Sequence, residues 1–282
     1  MRERALHLRS RARRRIIVDS QTFGSDYLVW NGDYIFLIRN LVEKDFKVRY
    51  RNMSLGVLWS LLNPLIMMGL LTFIFTKIFA QPSDRNFPLS VLCALVPLNF
   101  FTLAWVNGAS SILENATLIK RVPVPRQVFP VASVLSNCLH LLIQIVLLLT
   151  IILVFGRGVN IHWLWLPLLW GLEILFVMGL ALAFSALNVY VRDTRYVIES
   201  TNIVLFWLVP VFYSFALIPV RFRGIYQINP VAALVLMMRN VLLEGHAPLG
   251  STLIRLAIVS VAMFGTGLFV FSKLKNGFYA RL

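Results

Sequence analysis

Long apolar stretches separated by short polar gaps dominate the chain. Six of them, at residues 55–80, 89–113, 128–155, 163–189, 197–218 and 252–271, reach the roughly 20 apolar residues a helix needs to cross a bilayer. They predict six transmembrane helices. Residues 33–52 carry a different pattern. At about 100° per residue, Arg39, Asn40, Glu43, Lys44, Lys47 and Arg51 share one arc, and Ile35, Ile38, Leu41, Val42, Phe46 and Val48 share the other. That predicts an amphipathic helix lying in the membrane interface. Phe36 and Tyr50 fall on its polar arc, while Asp45 and Arg49 fall on its apolar side, spaced to pair at i,i+4. In the stretch 219–250, the apolar run 231–238 has only 8 residues and follows Asn229-Pro230, so it predicts a short re-entrant or interfacial helix on the outer side. The fold expected is an all-α integral membrane protein.

Composition agrees, because 59% of the 282 residues are hydrophobic and 14% charged, against about 45–50% and about 25% in soluble domains. A net charge of +15 would also suit a nucleic-acid binder, but the positions of the charges argue otherwise. Twelve of the 27 Lys and Arg residues precede Met53, and most others sit in the gaps between apolar stretches. With the N-terminus inside, 20 of the 27 lie on the inner side and 6 outside, with Lys77 near a span end. The positive-inside rule therefore puts both termini in the cytoplasm and makes nucleic acid an unneeded partner. The first 18 residues hold seven arginines but no long apolar core, so residues 1–32 read as a retained basic cytoplasmic tail, and 272–282 as a second tail. Residues 55–271 form the transmembrane domain. Cys93 and Cys138 both lie inside apolar runs, which leaves no disulfide framework or paired-cysteine metal site. The glycosylation patterns at Asn52 and Asn115 fall on the inner side and read as chance.

The chain contains no Gly-x-x-x-x-Gly-Lys-[Ser/Thr] loop, no His-Glu-x-x-His, no Cys-x-x-Cys and no Gly-x-Ser-x-Gly. It is expected to be no enzyme and to carry no cofactor of its own. The spans also hold few ionisable groups, chiefly Glu173 and His140, whereas proton-coupled carriers thread several acids through the bilayer. Energy is thus expected from a partner rather than from an ion gradient.

On the third span Ser133, Asn137, His140 and Gln144 share one helical face, which either lines a hydrated passage or glues helices together. Glu173 lies near the middle of the fourth span, at about the depth of Gln144 and within about two turns of His140. A buried carboxyl satisfied by one of those two is expected, with a proton relay as the alternative. Aromatics recur at helical spacing as Phe75 with Phe79, Phe101 with Trp105 and Phe206 with Tyr213. Sugar rings present apolar C–H faces, so such walls could guide a glycan; with Asn137, His140 and Gln144 these six are the candidate channel-lining residues. Interfacial belts and packing account for Trp163, Trp165, Phe278 and Tyr279.

Two inner features are large enough to receive force from a cytoplasmic motor. They are the surface helix, through Arg39, Glu43 and Lys47, and the loop 114–127, where Pro123 and Pro125 stiffen a segment bearing Glu114, Lys120, Arg121 and Arg126. The same cations could instead only hold topology against anionic lipid.

Five strings in order, KDFKVRYRNMSLGVLWSLLNPL, IKRVPVPRQVFPVASVLSN, LNVYVRDTRY, PVFYS and INPVAALVLMMRNVLLEG, make the chain resemble the membrane subunit of ABC-2 type exporters. The resemblance is specifically to permeases for lipid-linked polysaccharides such as O-antigen, capsule or teichoic acid. It implies a bacterial inner-membrane location, a second copy of the chain forming a channel, and two cytoplasmic ABC ATPase subunits that bind ATP and Mg beneath it. An ABC-2 permease for a small hydrophobic drug or natural product is the alternative within transport. A membrane-embedded glycan-modifying enzyme would need an acidic cluster, and Arg192-Asp193 reads better as an inner salt-bridged loop. A scaffold or anchor would not need the polar stripe.

Overall fold

The computed structural model describes residues 33–51, 53–79, 86–122, 124–156, 158–213 and 218–281, so the expected basic tail at 1–32 lies outside the described residues. Among the described residues every regular element is helical. Helix α1 spans Tyr34–Tyr50, and the carboxylate of Asp33 caps it by accepting from the backbone N–H groups of Ile35 and Phe36 at 2.9 and 3.2 Å. Helix α2 (Trp59–Phe73) follows a 3-10 turn at Gly56–Leu58 and runs on into a π turn at Ile74–Ile78. Helix α3 (Phe87–Glu114) continues after one break into the short α4 (Ala116–Arg121). Helix α5 is Val128–Val154, and α6 (Leu166–Tyr190) extends a 3-10 turn at Ile161–Trp165. Helices α7 (Thr194–Leu208), α8 (Val220–Ile228) and α9 (Pro230–Arg239) precede a π turn at Asn240–Glu244, and α10 (Gly250–Leu274) ends in a 3-10 turn at Lys275–Ala280.

Five of these helical stretches, Gly56–Ile78, Phe87–Arg121, Val128–Val154, Ile161–Tyr190 and Gly250–Phe278, are long and apolar enough to cross a membrane. The stretch expected to be the fifth span, 197–218, is different. Its helix stops at Leu208 after 15 residues, because Val209 is extended ahead of Pro210, whose ring disfavours helical backbone in the preceding residue. The helix rises about 22 Å of the roughly 30 Å hydrocarbon core, and the extended residues after it carry the chain on to the opposite end of the bundle, where Val211 O accepts from Arg239.

Helix α3 is mostly apolar and largely buried and sits at the centre, packed against α2, α5, α6, α7 and α9. Helix α9 follows the expectation of a short helix that does not cross. Asn229 caps it, accepting from Val231 N and Ala232 N, and its apolar residues from Val231 to Met238 are mostly buried against α3, α6 and α10. The pair α6 and α10 meets most closely. A Cβ on Gly179 would stand 2.5 Å from the carbonyl oxygen of Met263, and one on Gly267 would run into the carbonyl of Gly179. Small residues that admit backbone against backbone are a characteristic way for helices to associate in lipid, where no hydrophobic effect draws them together.

On α1 the side chains that pack inward form a narrower stripe than the arc of the sequence pattern. Leu37, Ile38, Leu41 and Val42 turn toward the bundle, while Ile35 and Val48 stay exposed. Asp45 pairs with Lys44 at 3.2 Å instead of with Arg49. The two ends of the bundle have different chemistry. At one end Lys44 donates to Asn115 Oδ1 (2.7 Å), Tyr190 OH donates to Leu274 O (2.8 Å), and Arg126 donates to Lys275 O. At the other, Arg239 donates to the carbonyls of Ser90 and Val211, and Asn160 to that of Val241.

Substituting Gly267 by alanine should lower stability by about 1–3 kcal/mol, since a backbone carbonyl opposes the new methyl group. Gly265→Ala on the same helix meets open space and should be neutral or slightly stabilising. Equal melting temperatures of the two variants in detergent would contradict the close crossing.

Candidate functional site

The residues expected to couple to a motor gather at one end. Arg39, Glu43 and Lys47 on α1, Glu114 at the end of α3 and Lys120 and Arg121 on α4 are all exposed, and the Lys44–Asn115 hydrogen bond ties α1 to the α3–α4 junction. Glu43 and Lys47 pair at 2.6 Å one helical turn apart, and the ammonium holds the Glu43 carboxyl below its ordinary pKa. Arg126 differs from the others. Its guanidinium lies 5.6 Å from the Phe278 ring centre and donates to Lys275 O, so it fastens the C-terminal turn to the loop rather than standing clear of the fold as the sequence suggested.

The polar face of the third span does bind helices together. Asn137 donates to Ser133 O on its own helix (2.8 Å) and receives Asn107 Nδ2 of α3 at 3.3 Å. His140 stands in a closed set of contacts: Tyr50 OH of α1 and Ser60 Oγ of α2 lie 2.8 and 2.9 Å from its Nδ1 and 2.6 Å from each other, and Gln144 Nε2 lies 3.1 Å from its Nε2. Gln144 Nε2 also reaches Ser60 O at 3.3 Å. The amide nitrogen can only donate, so His140 Nε2 accepts and the ring proton sits on Nδ1, facing the two hydroxyls. Tyr50, placed on the polar arc by the sequence pattern, is therefore turned inward, and its hydroxyl joins the surface helix to two helices of the bundle.

Glu173 is 3% exposed, and neither carboxylate oxygen has a hydrogen-bond partner. The pairing with Gln144 or His140 that the sequence suggested is absent. Counting along the helices gave depth but not direction, and the contacts of His140 run to Tyr50 of α1, Ser60 of α2 and Gln144 of its own helix.

The aromatic pairs separate into two places. Phe101 and Trp105, 2% and 5% exposed, lie within the α3–α6 core, Phe101 stacked on Phe176 and Trp105 edge-on to Phe184, so they do not line an open passage. A central helix buried on most of its circumference gives the spacing of two aromatics no one face to mark. Asn137, His140 and Gln144 are buried in helix contacts and likewise face no open space. Phe75, Phe206 and Tyr213 gather instead around Phe212, whose ring stacks on Phe75 at 4.7 Å and lies 6.2 and 5.3 Å from Phe206 and Tyr213, and Phe79 stacks on Phe75 at 5.5 Å.

Open space lies between α2, α3 and α7, as a groove of about 490 Å³. Phe206 and Trp207 wall it, and its polar lining is Asn63, Asn99, Thr102, Asn202 and Glu199. Of the expected channel residues Phe206 lines it. The three asparagines were missed, although amides inside apolar spans are themselves a signal, since each must find a partner or a cavity.

These features define a multi-pass membrane protein with a charged face at one end and a side groove of amides and aromatics. Residues 37–243 match the model of the ABC-2 type transporter family, and the chain belongs to that family. It is 31% identical over 251 residues to the O-antigen export system permease protein RfbA of Klebsiella pneumoniae, covering 88% of this chain and 96% of that one. The protein of the same description from Myxococcus xanthus is 27% identical over 87% of this chain and 95% of its own length. The polysialic acid transport protein KpsM of Escherichia coli is 24% identical over 82% and 90%.

Because Glu173 has no partner to orphan, Glu173→Leu should leave the melting temperature unchanged or raise it, as removal of an unsatisfied buried polar group does. A drop worth more than about 1 kcal/mol would mean that the carboxyl has a partner after all.

Proposed function

We propose that the chain is the membrane subunit of an ATP-driven exporter that carries lipid-linked polysaccharide from the cytoplasmic side across the bacterial inner membrane. The relatives named above supply the cargo class. In this reading both termini are cytoplasmic, two copies of the chain enclose the passage, and two separate ATPase subunits bind ATP and Mg. No nucleotide loop occurs in the sequence, so hydrolysis belongs to those subunits.

One observation carries the mechanism. The exposed charges of α1 and of the α3–α4 junction form a single face, and Tyr50 connects that face to Ser60 of α2 and His140 of α5. A push on α1 from below is therefore delivered to α2, one wall of the groove, through hydrogen bonds rather than through lipid. The positive charge gathered at this end suits both anionic headgroups and an acidic partner surface.

The purified chain should hydrolyse no ATP until the ATPase is added. Glu114→Arg, on an exposed side chain, should leave the melting temperature unchanged and reduce co-purification of the ATPase. Tyr50→Phe should cost about 1 kcal/mol of stability, keep the ATPase bound and lower glycan export per ATP hydrolysed. Unchanged export per ATP in Tyr50→Phe would remove the hydroxyl from the coupling route, and a chain that supports no glycan export with any ATPase would overturn the function itself.

A further inference from the structure

We infer that the groove between α2, α3 and α7 takes a neutral, hydroxyl-rich glycan segment and rejects an anionic one; this rests on the reading of the chain as a polysaccharide permease and narrows its cargo. The key residue is Asn202. It is 8% exposed, lines the groove, and neither its Oδ1 nor its Nδ2 has a hydrogen-bond partner. A buried primary amide left unpaired is costly; both its atoms are covered in this state, and a turn of the side chain toward the groove that the residue lines would bring them to a ligand's polar groups.

The chemistry of that amide selects the ligand. It offers two N–H donors and a carbonyl acceptor together. An acyl chain satisfies none of these, and a carboxylate or phosphate, having only acceptors, satisfies the nitrogen and leaves the oxygen bare. A sugar hydroxyl donates and accepts at once, so a vicinal pair meets both halves. Asn63 and Asn99 repeat the same donor-and-acceptor pairing along the α2 and α3 walls, and Phe206 and Trp207 present faces on which the C–H side of a sugar ring can lie.

Charge points the same way. Among the described residues that line the groove none is Lys, Arg or His, and the charged one is Glu199. Its ion-pair partner Arg195, at 2.9 Å, lies one turn nearer the charged end of the bundle and outside the groove lining. An acidic glycan entering here would lose its hydration beside a carboxylate, with no cation in the lining to offset the loss.

The test uses the full chain in lipid nanodiscs, with tryptophan emission read during titration by a neutral linear gluco-oligosaccharide and by an oligosialic acid of equal length. The neutral probe should shift the emission, Trp207→Phe should remove the shift, and oligosialic acid should give none. Asn202→Leu should weaken the neutral probe about tenfold, the scale of one or two lost hydrogen bonds. That variant forfeits no internal hydrogen bond, so its melting temperature should not fall. Glu199→Lys should admit the oligosialic acid. Tight oligosialic acid binding that Asn202→Leu abolishes would overturn the neutral class while leaving polysaccharide export standing. An unchanged affinity in Asn202→Leu would remove the groove from recognition, and failure of both probes to bind, together with no glycan export by the assembled transporter, would overturn both readings.

Discussion

The imidazole of His140 has two nitrogens to satisfy at a depth where water is scarce, and the bundle is organised around the answer. In hydrocarbon a polar side chain has no bulk solvent to fall back on, so one without a protein partner is costly to bury. Gln144 supplies a donor from one turn above, Ser60 and Tyr50 supply hydroxyls from two other helices, and three separate segments are thereby held in one register. Apolar contacts cannot set such a register, since a leucine packs on lipid as readily as on leucine. The surface helix depends on this arrangement most. Its apolar stripe is short, and the Tyr50 hydroxyl gives it a fixed point on the bundle that sliding along the interface would break.

What the residues disclosed, and what they withheld, follows from the range of the physics involved. Span positions were legible because hydropathy acts locally and over twenty residues at a time; three stretches begin and end within a few residues of their expected bounds, and the second and the last overrun their expected ends, to Arg121 and to Phe278. The short α9 was legible from Asn229-Pro230 and the brevity of its apolar run. The break after Leu208 was written in Pro210 yet hidden by the apolar residues on both sides of it. Azimuth was the information that failed. Tyr50 was assigned the wrong face, Glu173 the wrong neighbours, and Phe101 and Trp105 a passage in place of the packed core, because one periodicity states which residues share a face and not which helix that face meets.

The same argument explains why the groove lay hidden. Asn63, Asn99 and Asn202 sit on three helices far apart in sequence, and each alone looks like a tolerated polar residue in an apolar run. They converge only because α3 occupies the centre with α2 and α7 beside it. The stripe on the third span looked more like a passage from sequence, since its four residues sit on one helix, but a run of polar groups along a single helix is also what a helix needs to bind several neighbours at once. The charged end, by contrast, was visible from simple counting, because topology signals are properties of loops and do not depend on packing.

The crossing of Gly179 and Gly267 has a bearing on how such a bundle can change shape. Side chains that meet across an interface can exchange one rotamer for another and let two helices slide; a seam of bare backbone has no such freedom. Helices α6 and α10 must therefore travel as one body. Widening of the space beside Asn202 falls to α2 and α7, whose C-terminal ends are already interrupted, one by a π turn and the other by Val209 and Pro210.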